Sequence, residues 1–420
     1  MGAQIFSLVA ALILCFAVVS LSSTFTENNP IRIVSDGPRE FQSSDAFSTV
    51  DDIHDLEDAS ILSRTSIKAI YQFGDSISDT GNLIHENPLF KYAKLPYGLT
   101  FFRTPTGRPS DGLLMIDYLT KFLNMPFLDP YLKKDGNFSH GVNFAVAGAP
   151  ALNTSTFAMK NIATSNVTNS SLLVQLDWFK SHLKSVCSTE SECKGKLANS
   201  LFMMGEIGGN DYNWAFFQKE DFSKGYQMVP EVVQVIKYSV KEVINLGAIR
   251  IIVPGNFPIG CMAIYRALYK TNDSRKYNEL QCLKNFNQFA KFHNKKLQQA
   301  IRELQKDHPH VTIVYADYFS AFNEILKHAI SIGFDKDATQ RVCCGIGNNE
   351  FNFDMKRMCG NDGVVACEHP NQSIFWDGIH LTQHAYQLMA KCMPKCAFPP
   401  LNNMMICCTC GLVALCSTLA

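Results

Sequence analysis

Four short stretches of the 420-residue chain carry residues suited to acyl transfer. In the first, the apolar run 67–73 ends at Gly74-Asp75-Ser76 and continues as Ser78-Asp79-Thr80-Gly81-Asn82. A serine just past a strand end, beside a glycine, can present its hydroxyl at the sheet edge. The N–H groups of a helix that starts there point to the same place. That suits a nucleophile whose reaction develops an oxyanion. In the second, Asp377 and His380 stand three apart in FWDGIHLTQHAYQLM. On one turn the carboxylate can accept from one ring nitrogen and leave the other to take a proton from a serine. The last two offer donors: Gly148 after VNFAVA has a backbone N–H, and Asn210 after Gly208-Gly209 has a side-chain amide. Both group types can stabilise an oxyanion. Taken singly, each piece also reads as ordinary structure. Ser76 or Asp79 can be a helix N-cap, Asp377 and His380 a surface pair, and Gly148 and Asn210 turn residues. Histidines such as His182, His293 and His384 lack a comparable setting and read as structural or exposed.

These pieces need elements that bring them together. Residues 67–73, 142–147, 201–208, 249–255 and 311–317 are apolar runs bounded by Gly, Pro or Asp, and they read as strands covered on both faces. Helical spacing falls between them. After Pro230, apolar residues recur at Val232, Val233, Ile236, Val240, Val243 and Ile244, with Pro230 suited to the first turn and Gly247 to the stop. Leu283, Phe286, Ala290, Leu297, Ile301 and Leu304 mark one face of a second helix. Alternating strands and helices predict an α/β fold with a mostly parallel sheet and helices on both sides. Active sites of such sheets gather beyond the C-terminal strand ends, where all four pieces fall. The pocket wall is expected from loops around 83–110, 150–172 and 212–228, with Phe101, Phe102, Tyr212, Trp214 and Phe216 as candidate lining or core.

Composition sets limits. Lys plus Arg and Asp plus Glu both number 38, so the chain lacks the basic excess of a nucleic-acid binder. Apolar residues make up 46%, enough for a large core. Fifteen cysteines point to an oxidising compartment. Residues 1–22 read as a signal peptide, built on the apolar run 5–20 although no Lys or Arg precedes it. Residues 23–66, with nine acids against three bases, read as a flexible leader or pro-segment. The hydrolase body spans 67–396. The tail 397–420 is apolar and Cys-rich, and a lipid-anchor signal, acylation and an aberrant terminus stay open; membrane association is the less favoured reading. Six N-x-S/T sequons, at Asn137, Asn153, Asn166, Asn169, Asn272 and Asn371, also favour the secretory pathway. Cys187 with Cys193 and Cys261 with Cys282 are plausible pairs. Cys343, Cys344, Cys359 and Cys367 are expected to supply one or two more, with connectivity open.

FGDSISDTGN at 73–82, GVNFAVAGA at 141–149, GGND at 208–211 and DGIH at 377–380 resemble, in order and spacing, the four blocks of the plant GDSL esterase/lipases, which belong to the SGNH hydrolases. PTGRPSDG at 105–112, IVPGNFPIGC at 252–261 and CCGIG at 343–347 are similar to the same family, most of all to its acetylajmalan-esterase- and sinapine-esterase-like members. The resemblance implies a three-layer α/β/α sandwich around a five-stranded sheet. It also implies Ser76 as nucleophile, His380 as base and acid, and Asp377 as its orienting carboxylate. The oxyanion hole would be the N–H groups of Ser76 and Gly148 with the Asn210 side chain. The expected activity is hydrolysis of small acylated plant metabolites, of acetyl or hydroxycinnamoyl type, by a secreted monomer that needs neither metal nor organic cofactor. Acyl transfer through the same intermediate and a silent binding or defence protein are the alternatives. The long leader and the Cys-rich tail depart from the family pattern.

Overall fold

In the computed structural model, residues 67–163, 167–219 and 222–391 are described. The expected signal peptide 1–22, leader 23–66, tail 397–420 and the sequon at Asn166 lie outside them. Five strands form one sheet: β1 (Ala69–Phe73), β2 (Gly141–Asn143), β3 (Ser200–Met204), β4 (Arg250–Pro254) and β5 (Thr312–Ala316). They lie in the order β2-β1-β3-β4-β5 and every pairing is parallel. Both faces are covered, which is why the strands are mostly apolar without an alternating polar face. Ile70, Phe73, Phe202, Met204 and Val253 are all buried. Helices Leu172–Val186, Phe222–Leu246 and Lys284–Asp307 pack side by side, while Met115–Phe122, Tyr318–His328 and Gln383–Ala390 form a second group. The sheet is thus flanked by helices, as the α/β/α expectation requires.

The core under the first group is aromatic. Phe179 of helix Leu172–Val186 meets Tyr71, Phe73, Phe144 and Phe202 edge-on, the geometry that ring quadrupoles prefer. Strand order reverses between β1 and β3, since the chain moves to β2 on one side and to β4 on the other. This switch point opens a crevice at the C-terminal strand ends.

Two local expectations are corrected. The run 142–147 is not a strand throughout: regular strand ends at Asn143, where the side chain accepts from Ala145 N and donates to Ser78 O, although Phe144 N and Val146 N still donate to Gln72 O and Gly74 O. The run is apolar because it is buried. Pro230 does not start its helix, which begins at Phe222. Buried Gly225, Met228 and Val229 extend the packed face before the proline, and that packing outweighs the missing N–H.

Candidate active site

The sequence around Ser76 is shaped by its glycine. Gly74 has φ +147°, and a Cβ there would stand 2.9 Å from Glu206 O. Gln175, from the first turn of helix Leu172–Val186, grips Gly74 from both sides. Its Oε1 accepts from Gly74 N at 2.9 Å and its Nε2 donates to Gly74 O at 2.8 Å. Asp75 then closes a turn, with Ile77 N donating to its carboxylate and Asp79 N to its carbonyl. Ser76 is 7% exposed. Its N–H and hydroxyl have no hydrogen-bond partner among the described residues.

A polar network binds this loop to the next. Asp79 accepts from the N–H groups of Gly81, Asn82, Leu83 and Ala147. Burial pushes its pKa up to about 6 against the pull of those donors. Asn82 donates to the carbonyls of Asn143 and Ala145 and accepts from Leu132 N. Buried Arg108 spans to Asp117 with two bonds of 2.8 and 2.9 Å and reaches Thr80 O. Together these set the loop that ends at Gly148. Gly148 has φ +84°, a Cβ would meet Val167 Cγ1 at 2.9 Å, and its N–H is unpartnered among the described residues.

Asn210 begins helix Gly209–Phe217. Its Nδ2 donates to Asp75 Oδ2 at 3.1 Å and to Ala149 O at 3.0 Å, so both amide hydrogens are engaged here. Asn213 donates to its Oδ1. Asp211 turns the other way and accepts from Ala151 N and Leu152 N; burial raises it to about 7.

Asp377 and His380 come from a strap with little regular structure. Nδ1 of His380 lies 2.9 and 3.0 Å from the two Asp377 oxygens. Asp377 also accepts from Ile379 N, from His380 N and, at 2.8 Å, from the Tyr97 hydroxyl. Burial alone would raise this carboxyl; the His380 ring, and after it Lys91, hold it well below the usual carboxylate range. The edge of the Tyr92 ring packs against His380. Nε2 of His380 is buried without a partner among the described residues. The strap is stitched to neighbouring chain by Cys343 N to Phe375 O and Cys344 N to Trp376 O. Disulfides Cys343–Cys367 and Cys344–Cys359 lock those cysteines in turn. Among the described residues the other two disulfides are Cys187–Cys193 and Cys261–Cys282, as the spacing suggested.

A cavity of about 50 Å³ has Ser76, Asn210 and Ile379, the neighbour of His380, in its wall; Gly148, Asp377 and His380 are not among its lining residues. Of the loops expected to wall the pocket, only 212–228 contributes, through Asn213 and Phe217, and none of 83–110 or 150–172 lines this cavity. Between lining and core, Tyr212, Trp214 and Phe216 are core residues, Phe101 is exposed, and Phe102 stacks on Arg108. Helical spacing explains this: Asn210, Asn213 and Phe217 share the face toward the cavity, which puts Tyr212 and Phe216 on the other side. Phe257, Ile259, Met262 and Tyr265 complete the wall. Their loop is pinned by Asn256 N to Asn294, Gly260 N to Asn287 and the Cys261–Cys282 bridge. His293 is buried against the Tyr212 hydroxyl, and burial lowers it to about 3. Tyr97, Gln175, Arg108 and Glu206 escaped the sequence reading, because no short motif links them to the residues they meet.

A five-stranded parallel sheet in the order β2-β1-β3-β4-β5, flanked by helices and carrying a polar cluster at its switch point, is consistent with the α/β fold of the SGNH hydrolases. The family model described as GDSL-like Lipase/Acylhydrolase matches residues 70–393, and the chain belongs to that family. A GDSL esterase/lipase of Arabidopsis thaliana is 43% identical over 342 residues, 80% of this chain and 84% of its own length. Acetylajmalan esterase of Rauvolfia serpentina is 43% identical over 326 residues, 77% of this chain and 84% of its own. Sinapine esterase of Brassica napus is 42% identical over 329 residues, again 77% and 84%. The protein is a carboxylic-ester hydrolase of this family.

Proposed function

We propose that the protein is a secreted serine esterase that acts on small acylated plant metabolites through an acyl-Ser76 intermediate. The observation that carries this is the buried, unpartnered Nε2 of His380, whose Nδ1 is held by Asp377, on the strap that walls the Ser76 cavity. Nε2 takes the Ser76 proton as Oγ attacks the ester carbon, then returns it to the leaving alcohol. Asp377 keeps the Nδ1 proton and balances the imidazolium. The free N–H groups of Ser76 and Gly148 are ready to meet the developing oxyanion. Asn210 joins them by releasing Asp75 or Ala149. Water activated by His380 then frees the acid.

Acetyl or hydroxycinnamoyl esters are the proposed substrates, in keeping with the esters that name two of the relatives. Secretion is supported by the apolar run 5–20, by four disulfides, and by sequon asparagines Asn137, Asn153, Asn169, Asn272 and Asn371, all exposed. Among the described residues no helix is long and apolar enough to cross a membrane. The test is hydrolysis of p-nitrophenyl acetate by the wild-type protein and by Ser76→Ala with circular dichroism unchanged. Loss of turnover in the variant is expected; equal rates in both would refute the role of Ser76.

A further inference from the structure

Segment 167–172 lies against both loops that hold the backbone oxyanion donors. Val167 packs on Gly148, where an added Cβ would stand 2.9 Å from Val167 Cγ1. Leu172 N donates at 3.0 Å to Pro150 O, further along the Gly148 loop. Ser170 O accepts at 3.1 Å from Gln175 Nε2, the group that also donates to Gly74 O. A shift of this segment would therefore move Gly148 and Gly74 together. Its anchor is Glu86, at the end of helix Asn82–Glu86, which follows the Ser76 loop. Glu86 Oε2 accepts from Thr168 Oγ1 at 2.6 Å, and Oε1 accepts from Ser170 Oγ. Thr168 Oγ1 in turn accepts from Ser170 N at 3.0 Å. Glu86 is exposed, whereas Thr168 and Ser170 are each only 6% exposed. One exposed carboxylate thus satisfies two buried hydroxyls, and neither donates elsewhere among the described residues. Buried hydroxyls left unpaired would be costly, so the segment stays where Glu86 holds it.

We propose that Glu86 is a positioning residue for ester hydrolysis: by latching Thr168 and Ser170 it sets the Gly148 N–H and the Gly74–Ser76 turn where the developing oxyanion forms. The proposal rests on the esterase reading above and adds to it a residue outside both the Ser76 cavity and the four sequence motifs. Both bonds come from neutral hydroxyls, so Glu86 supplies two well-placed acceptors, and its charge is incidental. A glutamine of the same length keeps the latch, because its oxygen accepts from one hydroxyl and its amide donates to the other. An aspartate keeps the charge but is one methylene too short to hold both.

The test is steady-state hydrolysis of p-nitrophenyl acetate by the wild-type protein, Glu86→Ala, Glu86→Gln, Glu86→Asp and Ser170→Ala, the last of which leaves the Asn169 sequon intact. Active sites are titrated with a fluorophosphonate, so partial misfolding cannot imitate a fall in kcat. Removing an oxyanion donor outright costs about 10²–10³ in rate. Here donors are displaced and not removed, so Glu86→Ala is expected to lower kcat by about tenfold with KM little changed. Glu86→Gln should keep most of the wild-type kcat, and Glu86→Asp should lose as much as Glu86→Ala. Ser170→Ala should also lose kcat, and combining it with Glu86→Ala should cost no more than the larger single loss. If Glu86→Ala does not fold, Glu86→Asp and Ser170→Ala read the same loss. An unchanged kcat in Glu86→Ala overturns the proposal even where its Tm falls. Recovery by Asp and not by Gln overturns it too, since charge would then be what matters. Wild-type protein without turnover overturns it together with the esterase reading, whereas wild-type turnover matched by Glu86→Ala overturns it alone.

Discussion

The two halves of the site are held by different means. The Ser76 loop grows directly from β1 and is fixed by buried side chains. Asp79, Asn82, Asn143 and Gln175 bond to backbone across three loops, and no disulfide reaches it. The strap that carries Asp377 and His380 runs between a short 3-10 helix (Pro370–Gln372) and helix Gln383–Ala390, with the two-residue strands Cys344–Gly345 and Val365–Ala366 as the nearest ladder. It depends on Cys343–Cys367 and Cys344–Cys359. A loop rooted in a sheet inherits its position and needs only polar bonds to fix its turns. A strap without a sheet has little cooperative structure of its own, and covalent links reduce the freedom it would otherwise have when unfolded.

If the halves form one catalytic unit, Ser76→Ala and His380→Ala should each lower kcat by about 10⁴–10⁶-fold, and the double variant by no more. Additive losses in steady-state kinetics would show that the halves act independently. The next effect separates them by cross-linking. Replacing Cys344 and Cys359 with Ser is expected to cost about 2–4 kcal/mol, seen as a lower Tm with activity lost earlier in a denaturant series than the sheet signal. Asn82→Ala removes three buried bonds on the other side, should cost about 1–3 kcal/mol, and should leave activity and sheet signal lost together. Coincident loss in the cysteine variant would erase the contrast.

Tyr97→Phe tests the Asp377 side more finely. It deletes the hydrogen bond to Asp377 Oδ2 and little volume. A fall of about tenfold in kcat with KM little changed is expected. An unchanged kcat would make Tyr97 a packing residue. The smallest effect is on pH and stability. Burial raises Asp79 to about 6 and Asp211 to about 7. From about pH 4 to 7 the folded chain therefore binds more protons than the unfolded one, and stability falls as pH rises. Asp377 works oppositely: its depressed pKa contributes stability that is lost only as pH falls below about 4. Scanning calorimetry should find Tm higher at pH 5 than at pH 8; the reverse order would mean that these carboxyls are ionised in the fold.

What the sequence determined by itself is local. Short apolar runs named the five strands, because a strand buried on both faces has no polar side to show. Four motifs put forward Ser76, Gly148, Asn210, Asp377 and His380 as candidates, and spacing named the Cys187–Cys193 and Cys261–Cys282 pairs, later found joined. The bond between His380 and Asp377 was legible for the same reason, since three residues on one turn set it. The tertiary structure decided everything that depends on chain meeting chain. It ended regular strand β2 at Asn143 and carried a helix through Pro230 on packing. It chose which face of Gly209–Phe217 meets the cavity, brought Tyr97 to Asp377 across 280 positions, and set Glu206 in the cavity wall beside Ser76. A periodic pattern records which residues are buried, but burial has no address, and only the packed chain supplies the partner.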